Sequence, residues 1–331
     1  MLANLPYPRQ AEARRNTIAQ DEQYVRSHIW ALEDSAVRDL FQLMLQARMN
    51  MTQALIDVAL RYGRGDTWNA TDARFRERTD ELLRQIDGEL NTLVNGSIDR
   101  TLAASIRAYQ GGYTGRAWVT EQANRGAIRT SFARLPIEAI RAQILAPYRG
   151  LTFLDRFADA RDDFVRRIRR SMVQSQIGGE SIAQATRRLA NELGLDVSRR
   201  GAERGLFARL EMISRTEILR ASNTAARAIY EQNRDVLSGY RIVVTHDERT
   251  CAICAPKDNK FQKFGEGSEM PPFHPRCRCS IVPELNQNAL QSAIVAPRED
   301  YSEWAQRQGF GPAQDGGIFD LRGKPAPVSP L

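Results

Sequence analysis

The sequence lacks any long hydrophobic run. No stretch of its 331 residues approaches the ~18 consecutive apolar residues that a membrane-spanning helix needs. The first residues, MLANLPYPRQAEARRN, contain no apolar core of the kind found in a secretory signal. We therefore expect a protein that is synthesised in a cytoplasm, stays soluble and needs no membrane.

Glycine and proline are not enriched, and lysine is scarce. The 22 glycines and 14 prolines are too few for a collagen-like or low-complexity chain, and 42% hydrophobic with 26% charged residues is typical of a globular protein. Lysine contributes only four of the 47 basic residues, so the chain is rich in arginine. The excess over the 40 acidic residues gives a net charge of +7, which permits contact with nucleic acid or an acidic protein surface but requires neither.

Cysteine is rare but concentrated. All four cysteines fall within 29 residues, and two of the three histidines lie in or beside that segment. These six residues are His246, Cys251, Cys254, His274, Cys277 and Cys279. In a reducing cytoplasm, such a cluster is more typical of a metal site than of a disulfide framework.

The first 150 residues predict long amphipathic helices. Apolar side chains recur every three or four residues over Val37–Val58 and again over Phe75–Ile106, as in helices that bury one face. Gly63–Asp66 is predicted to end the first helix, and Thr71 to cap the second. Gly111–Gly115 is predicted to be a loop or hinge. We expect an antiparallel helical pair.

The remainder of the chain predicts a mixture of helices and short strands. Helices are expected at residues 152–175, 182–193 and 204–233, and strands at 240–245, around Phe261 and at 280–282, the last ending at Pro283. The predicted fold class is thus mainly α with a small β-sheet.

Three segments are predicted in sequence order. Residues 1–150 form an N-terminal helical region that is separable from the rest. Residues 151–285 form an α+β domain with a Cys/His zinc-type site, and residues 286–331 form an extended tail in which Trp304 and Phe310 are isolated anchors.

The cysteine spacing predicts a structural zinc site. Cys251-x2-Cys254 can present two thiolates to one metal, and Cys277-x-Cys279 places two more on one face of an extended strand. His274 is a fifth candidate ligand. Zinc takes four such ligands in a tetrahedron, so four of the five would close the site, and the spacing leaves open which four. The alternative is that reduced or partly oxidised thiols pack the small sheet.

No catalytic constellation is evident. His246-x-Glu248 followed by Cys251 superficially resembles a zinc deaminase signature, but the intervening segment is too short to place the two motifs on different helices. Glu217 and Arg220 lie one helical turn apart and are expected to hold their helix against the sheet. We therefore predict that the protein is not an enzyme. The alternative is a peripheral enzyme, acting on nucleic acid or protein through His246, Asp247 and Glu248.

Three motifs together resemble a known phage domain. They are ISRTEILRASN at Ile213–Asn223, TCAIC at Thr250–Cys254, and PPFHPRCRC at Pro271–Cys279 followed by IVP. The upstream GESIAQATRRL at Gly179–Leu189 fits the same pattern. Over roughly residues 155–285 the chain resembles the Mu F-like domain of minor head, or head-morphogenesis, proteins of tailed bacteriophages.

The resemblance implies a low-copy virion protein. Such a protein would lie in the head interior or at the portal vertex and would act in capsid and portal assembly, with a further role in genome packaging or ejection. The implied partners are the portal and capsid proteins, and the packaged DNA is a further candidate.

A basic helix face suggests how such partners would be bound. Arg166, Arg167, Arg169 and Arg170 flank an apolar stripe, and neighbouring aspartates cancel part of their charge. A mixed surface of this kind suits a protein partner better than a DNA groove, where each phosphate contact would add to a steep salt dependence. A plain DNA-binding module that uses these four arginines is the third hypothesis.

Overall fold

The computed structural model describes residues 7–62, 73–124, 129–131, 133, 135–180, 182–192, 205–265, 267–291 and 296–309. The described helices are α1 (Tyr7–Tyr62), α2 (Ala73–Asn124), α3 (Ile137–Leu145), α4 (Phe153–Ile177), α5 (Ile182–Glu192), α6 (Leu206–Gln232), α7 (Gln287–Gln291) and α8 (Tyr301–Arg307). The strands are β1 (Leu237–Val243), β2 (Phe261–Lys263) and β3 (Ser280–Leu285). The predicted fold class, mainly α with a small sheet, is confirmed. Among the described residues, no helix combines the length and hydropathy needed to cross a membrane.

The two longest helices follow the predicted apolar stripes. The stripe residues that are buried include Leu40, Met44, Ala47 and Met51 on α1 and Leu82, Ile86, Leu90 and Leu93 on α2. Helix α1 ends at Tyr62, one residue before the predicted stop. Gly63–Asp66 and Thr71 themselves lie outside the described residues.

The prediction of a loop at Gly111–Gly115 is wrong. These five residues are helical, buried and part of α2. A Cβ atom at Gly112 would lie 2.6 Å from the backbone oxygen of Ser222 on α6. Glycine is therefore present because another backbone approaches the helix closely, and not because the chain turns.

The chain divides into two compact units, each built from discontinuous segments. The sheet unit comprises the described residues within 1–34, 102–144 and 215–331, and the helical unit those within 35–101 and 145–214. Residues from the first 34 thus pack in the same unit as the strands and the cysteines. The expectation that residues 1–150 are separable from the cysteine region stays a prediction. The three-part division of the sequence stays a prediction.

The sheet is antiparallel, with the strand order β2-β1-β3. Tyr240 of β1 lies opposite Gln262 on one side and Pro283 on the other. The prediction that the last strand stops at Pro283 is wrong, because β3 continues to Leu285. Since β3 is an edge strand, the missing N–H of proline does not interrupt a ladder on its far side.

The prediction of an extended tail over residues 286–331 is wrong for those of its residues that the structure describes. Residues 286–309 contain α7 and α8, and a capping box between Asp300 and Glu303 begins α8. Trp304 is fully buried, and its indole N–H donates to Glu121 Oε2 over 2.8 Å. Trp304 is thus the anchor that was predicted, whereas Phe310 and the residues after it lie outside the described part.

A buried ion pair lies inside the sheet unit. Arg116 Nη2 donates to Glu22 Oε1 over 2.8 Å, and Arg116 Nη1 donates to Ser222 Oγ over 2.9 Å. The side chains of Glu22 and Arg116 are almost completely buried. Burial raises the pKa of Glu22, and the nearby Arg116 opposes that shift. The pair joins α1, α2 and α6 within this unit.

Candidate metal centre

The first two candidate ligands lie in a tight turn after β1. The backbone N–H of Cys254 donates to the carbonyl of Cys251 over 3.1 Å, and the N–H of Ala255 donates to the same carbonyl over 3.0 Å. A short 3-10 helix over Ala255–Lys257 follows directly. The turn places both thiols on the same side of the loop, which is what the Cys-x2-Cys spacing predicts.

The other three candidates lie in the segment that leads into β3. The backbone N–H of Cys277 donates to the carbonyl of His274 over 3.1 Å and so closes a turn. Arg276 within this turn has a φ of 58°, in the left-handed region that non-glycine residues rarely adopt. Cys279 directly precedes β3. The turn brings the imidazole of His274 and the thiol of Cys277 to the Cys254 side chain.

The five candidate ligands form two triplets that share Cys254. One triplet is Cys251, Cys254 and His274, and the other is Cys254, Cys277 and Cys279; within each, the ligand atoms lie within 4.8 Å of one another. His274 Nε2 is 3.2 Å from Cys251 Sγ and 3.1 Å from Cys254 Sγ. Cys254 Sγ is 3.8 Å from Cys277 Sγ.

These pair distances are close to those between two ligands of a tetrahedral zinc ion. With Zn–S bonds of about 2.3 Å, two thiolates of one tetrahedron lie about 3.8 Å apart, and a thiolate and an imidazole nitrogen about 3.5 Å apart. The Cys254–Cys277 separation matches the first value. The His274 contacts are a few tenths of an ångström shorter than the second. No four of the five ligand atoms lie within 4.8 Å of one another, so the two triplets would have to draw together to hold one ion.

The tautomer of His274 suits a metal ligand. Its Nδ1 lies 2.7 Å from the carbonyl oxygen of Pro275, so Nδ1 carries the proton and donates it to that carbonyl. Nε2 then presents its lone pair to the two thiols. A histidine ligand is commonly oriented in this way, by a hydrogen bond from the nitrogen that does not bind the metal.

The cysteines form a buried cluster with unequal proton affinities. Cys254, Cys277 and Cys279 pack with Ile242 and Val244, and Cys251 lies at the edge. Burial raises the pKa of Cys254 to about 12. A hydrogen bond from the Cys279 thiol lowers the pKa of Cys277 to about 5 and raises that of Cys279. The donor set is soft and largely shielded from water, as in structural thiolate sites.

Helix α6 holds the ligand-bearing segment in place. Thr216 Oγ1 accepts a hydrogen bond from the Arg276 N–H over 3.0 Å, and Asn223 Nδ2 donates to the Cys279 carbonyl over 3.1 Å. The hydroxyl of Tyr230 donates to the Ile281 carbonyl over 3.3 Å. The three side chains are spaced by seven residues, so they share one face of α6. This face fixes the backbone on both sides of Cys277.

Helix α1 also reaches this region. Arg26 Nη2 donates to Thr245 Oγ1 over 2.6 Å, and the same hydroxyl donates to the Arg278 carbonyl over 3.2 Å. Thr245 follows β1, and Arg278 lies between Cys277 and Cys279. One side chain of the N-terminal helix is therefore linked to the backbone between two candidate ligands.

The three residues of the enzymatic alternative, His246, Asp247 and Glu248, do not form one catalytic group. His246 Nε2 lies 3.0 Å from Asp258 Oδ2, whereas Asp247 is bound by both Nη atoms of Arg278. The Arg278 hydrogen bonds hold the pKa of Asp247 well below its usual range. Glu248 is exposed. His246 and Asp247 thus have separate partners, and their contacts stabilise the loop.

Glu217 and Arg220 pair as predicted. Arg220 Nε donates to Glu217 Oε2 over 2.7 Å, and Arg220 Nη2 donates to the carbonyl of Ile144 over 2.5 Å. Both side chains are buried. The pair connects α6 with the end of α3, whereas the expected contact was with the sheet.

Sequence reasoning missed Glu22, Arg26 and Arg116. A signal for the first two was present, because they interrupt an apolar stripe on α1 that includes Val25 and Ile29. Charged residues on the buried face of a helix require partners, and this requirement predicts an ion pair or a polar contact. The identity of the partners, which come from distant parts of the chain, could not be inferred.

A family model matches part of the chain. Residues 166–282 match the family described as phage Mu protein F like protein. The match begins within α4, ends within β3 and includes all five candidate metal ligands. These residues therefore form a Mu F-like head-morphogenesis domain, and the family resemblance is confirmed over about a third of the chain. No curated protein and no solved structure matches the chain.

Proposed function

We propose that this chain is a structural protein of a phage head, which assembles with the portal and capsid proteins and becomes part of the virion. The observation that carries the proposal is the family match over residues 166–282, which coincides with the cysteine cluster and the α6 face that holds it. Within this segment, Thr216, Asn223 and Tyr230 hydrogen-bond to the backbone around the candidate ligands. That arrangement suits a rigid assembly module.

The metal in this proposal is one structural zinc ion. Its four ligands are Cys251, Cys254, His274 and Cys277. Supporting this set are the orientation of the imidazole and the 3.8 Å thiol separation. Cys279 remains as a neighbour whose thiol hydrogen-bonds to Cys277. Four protein ligands leave no open position for substrate or water, so the ion would stabilise the fold and supply no reaction.

Cobalt substitution tests the ligand set. Co²⁺ replaces zinc in such sites, and its thiolate charge-transfer absorption grows with the number of thiolates bound. The Cys277→Ser variant should lose absorption per cobalt and bind cobalt more weakly, whereas Cys279→Ser should keep the spectrum of the unmodified protein. If the two variants behave in the opposite way, Cys279 is a ligand and this set is wrong.

Virion analysis tests the function. In the phage or prophage that encodes the chain, purified heads should contain it at low copy. Disruption of its gene should give defective heads or heads without infectivity, and expression of the intact chain in trans should restore them. Normal infectious particles in the absence of the chain would contradict the proposal.

A further inference from the structure

A groove of about 470 Å³ lies between α2 and α4 in the helical unit. Its floor is apolar and includes Ile86, Leu90 and Ile168, all of which are buried in the unit. Its rim carries two acidic and two basic side chains, namely Asp80, Arg84 and Asp87 on α2 and Arg169 on α4. An apolar floor with a charged rim is the usual composition of a site that receives one face of a protein segment.

A ridge of side chains continues from this groove along α4. Val165 and Arg169 line the groove, and Val173 and Ile177 follow at the same spacing of four residues. Val173 is 50% exposed and Ile177 is 82% exposed. Residues spaced by four form one of the ridges with which helices pack into the grooves of other helices. We call these four residues the α4 ridge.

The stretch of α4 that contains the ridge carries an excess of positive charge. Residues 165–177 contain four arginines and no acidic residue. Arg167 binds Asp163 over 2.6 Å, and Arg166 lies 3.7 Å from the same carboxylate. Arg169 and Arg170 make no ion pair within the described part of the chain, and both are exposed. Their two guanidinium groups therefore lie beside the exposed apolar side chains and can accept a partner's carboxylates.

We propose that the groove and the α4 ridge bind an acidic amphipathic helix of another virion protein. This inference rests on the proposed function in one respect, namely that the partner is a component of the phage head. The ridge spans twelve residue steps, which is about 18 Å of helix, so it offers a little over three turns of contact. Carboxylates on the partner would pair with Arg169 and Arg170, and its apolar stripe would cover Val173 and Ile177.

Duplex DNA fits this surface less well. Phosphates would satisfy the arginines, but they would leave Val173 and Ile177 exposed to water. The surface therefore lacks the continuous polar contacts that neutralise a run of phosphates. An acidic amphipathic helix would pair with the arginines and would also cover the exposed side chains of Val173 and Ile177.

Peptide binding to the full-length protein tests the proposal. The probe is a fluorescent synthetic helix with leucine at every third or fourth position and glutamate elsewhere, and its control carries lysine in place of glutamate. We expect the glutamate peptide to bind at least about tenfold more tightly than the lysine peptide. Fluorescence anisotropy gives both affinities, and a duplex DNA of similar length serves as the third ligand.

Two pairs of substitutions locate the site. Arg169→Glu with Arg170→Glu should weaken binding of the glutamate peptide by at least about tenfold, because attraction becomes repulsion. Val173→Ser with Ile177→Ser should weaken it while the charge is unchanged. Arg141→Glu, an equivalent change at an exposed arginine of α3, should have no effect. Circular dichroism and the Tm verify that each variant is folded.

Three results would overturn the proposal. They are equal binding of the two peptides, unchanged binding by the Arg169→Glu/Arg170→Glu variant, and tighter binding of the DNA than of the glutamate peptide. The last result would identify a nucleic-acid surface. None of them affects the presence of the chain in purified heads, so failure here is distinguishable from failure of the proposed function.

Discussion

Glu22 and Arg116 show what a buried charge requires at the level of single residues. Each side chain lies almost wholly out of water, where an unpaired charge costs several kcal/mol. Their hydrogen bond and the contact of Arg116 with Ser222 offset that cost. The pair thereby makes the packing of three helices depend on one polar contact.

Loss of Arg116 should destabilise the protein in a pH-dependent way. Arg116→Met removes the ion-pair partner of the buried Glu22 carboxylate and leaves Arg26 as a charged neighbour. We expect a loss of about 3–5 kcal/mol in the free energy of unfolding near neutral pH. Burial already raises the pKa of Glu22, and the variant removes an opposing charge. A carboxyl group whose pKa is raised in the native state takes up its proton there at a higher pH than in the unfolded state, so the loss should shrink as the pH is lowered from neutral into the acidic range.

Urea unfolding across that pH range measures this effect. Arg141→Met, at an exposed site, is the matched control and should change the stability little at any pH. A loss that stays constant with pH would mean that Glu22 does not titrate as described.

Replacement of glycine by alanine is expected to have opposite effects on stability at Gly112 and at Gly88. Gly112→Ala places a methyl group 2.6 Å from the backbone of Ser222 and should destabilise the protein by about 1–3 kcal/mol. Gly88 lies on the same helix, and a methyl group added there would have nothing within 4 Å, so Gly88→Ala should stabilise by about 1 kcal/mol. Thermal unfolding of the two variants compares them directly, and equal Tm shifts would contradict the packing described for α2.

At the level of secondary-structure elements, the long helices could be predicted from the sequence. The helical conformation of Gly111–Gly115 and the full length of β3 could not. Stripes with a period of three to four residues predicted α1, α2 and α4, because burial of one face is a local property of sequence. The loop prediction for Gly111–Gly115 is wrong because Gly112 is required by the close approach of Ser222 on α6, which lies more than a hundred residues later in the sequence. Strand β3 passes through Pro283 because it is an edge strand, and edge position depends on topology.

The docking of α8 depends on one tryptophan. Trp304→Ala should lower the free energy of unfolding by about 3–5 kcal/mol, because a fully buried side chain is removed. Trp304→Phe keeps most of the packing and loses only the hydrogen bond to Glu121, so its cost should be about 1–3 kcal/mol. Chemical denaturation gives both values. If the two variants cost the same, packing of the ring does not anchor α8.

At the level of the whole molecule, sequence order and packing differ. The cysteine motifs predicted the candidate ligands, and the structure brings all five into two triplets that share Cys254. Sequence could not predict that Arg26 of α1 would reach Thr245, or that the first 34 residues would pack with the strands. Such contacts depend on how distant segments fold back, and a single sequence carries no local signal for that.

Metal analysis of the full-length protein tests the central claim that a closed metal centre organises the sheet unit. Protein purified under reducing conditions should contain about one zinc ion per chain. The Cys254→Ser variant should lose the zinc, and hydrogen exchange should then show the residues after Tyr240 opening first, because metal binding and local folding are coupled. Freshly reduced, fully folded protein that contains no zinc and takes up none when it is supplied would contradict the account.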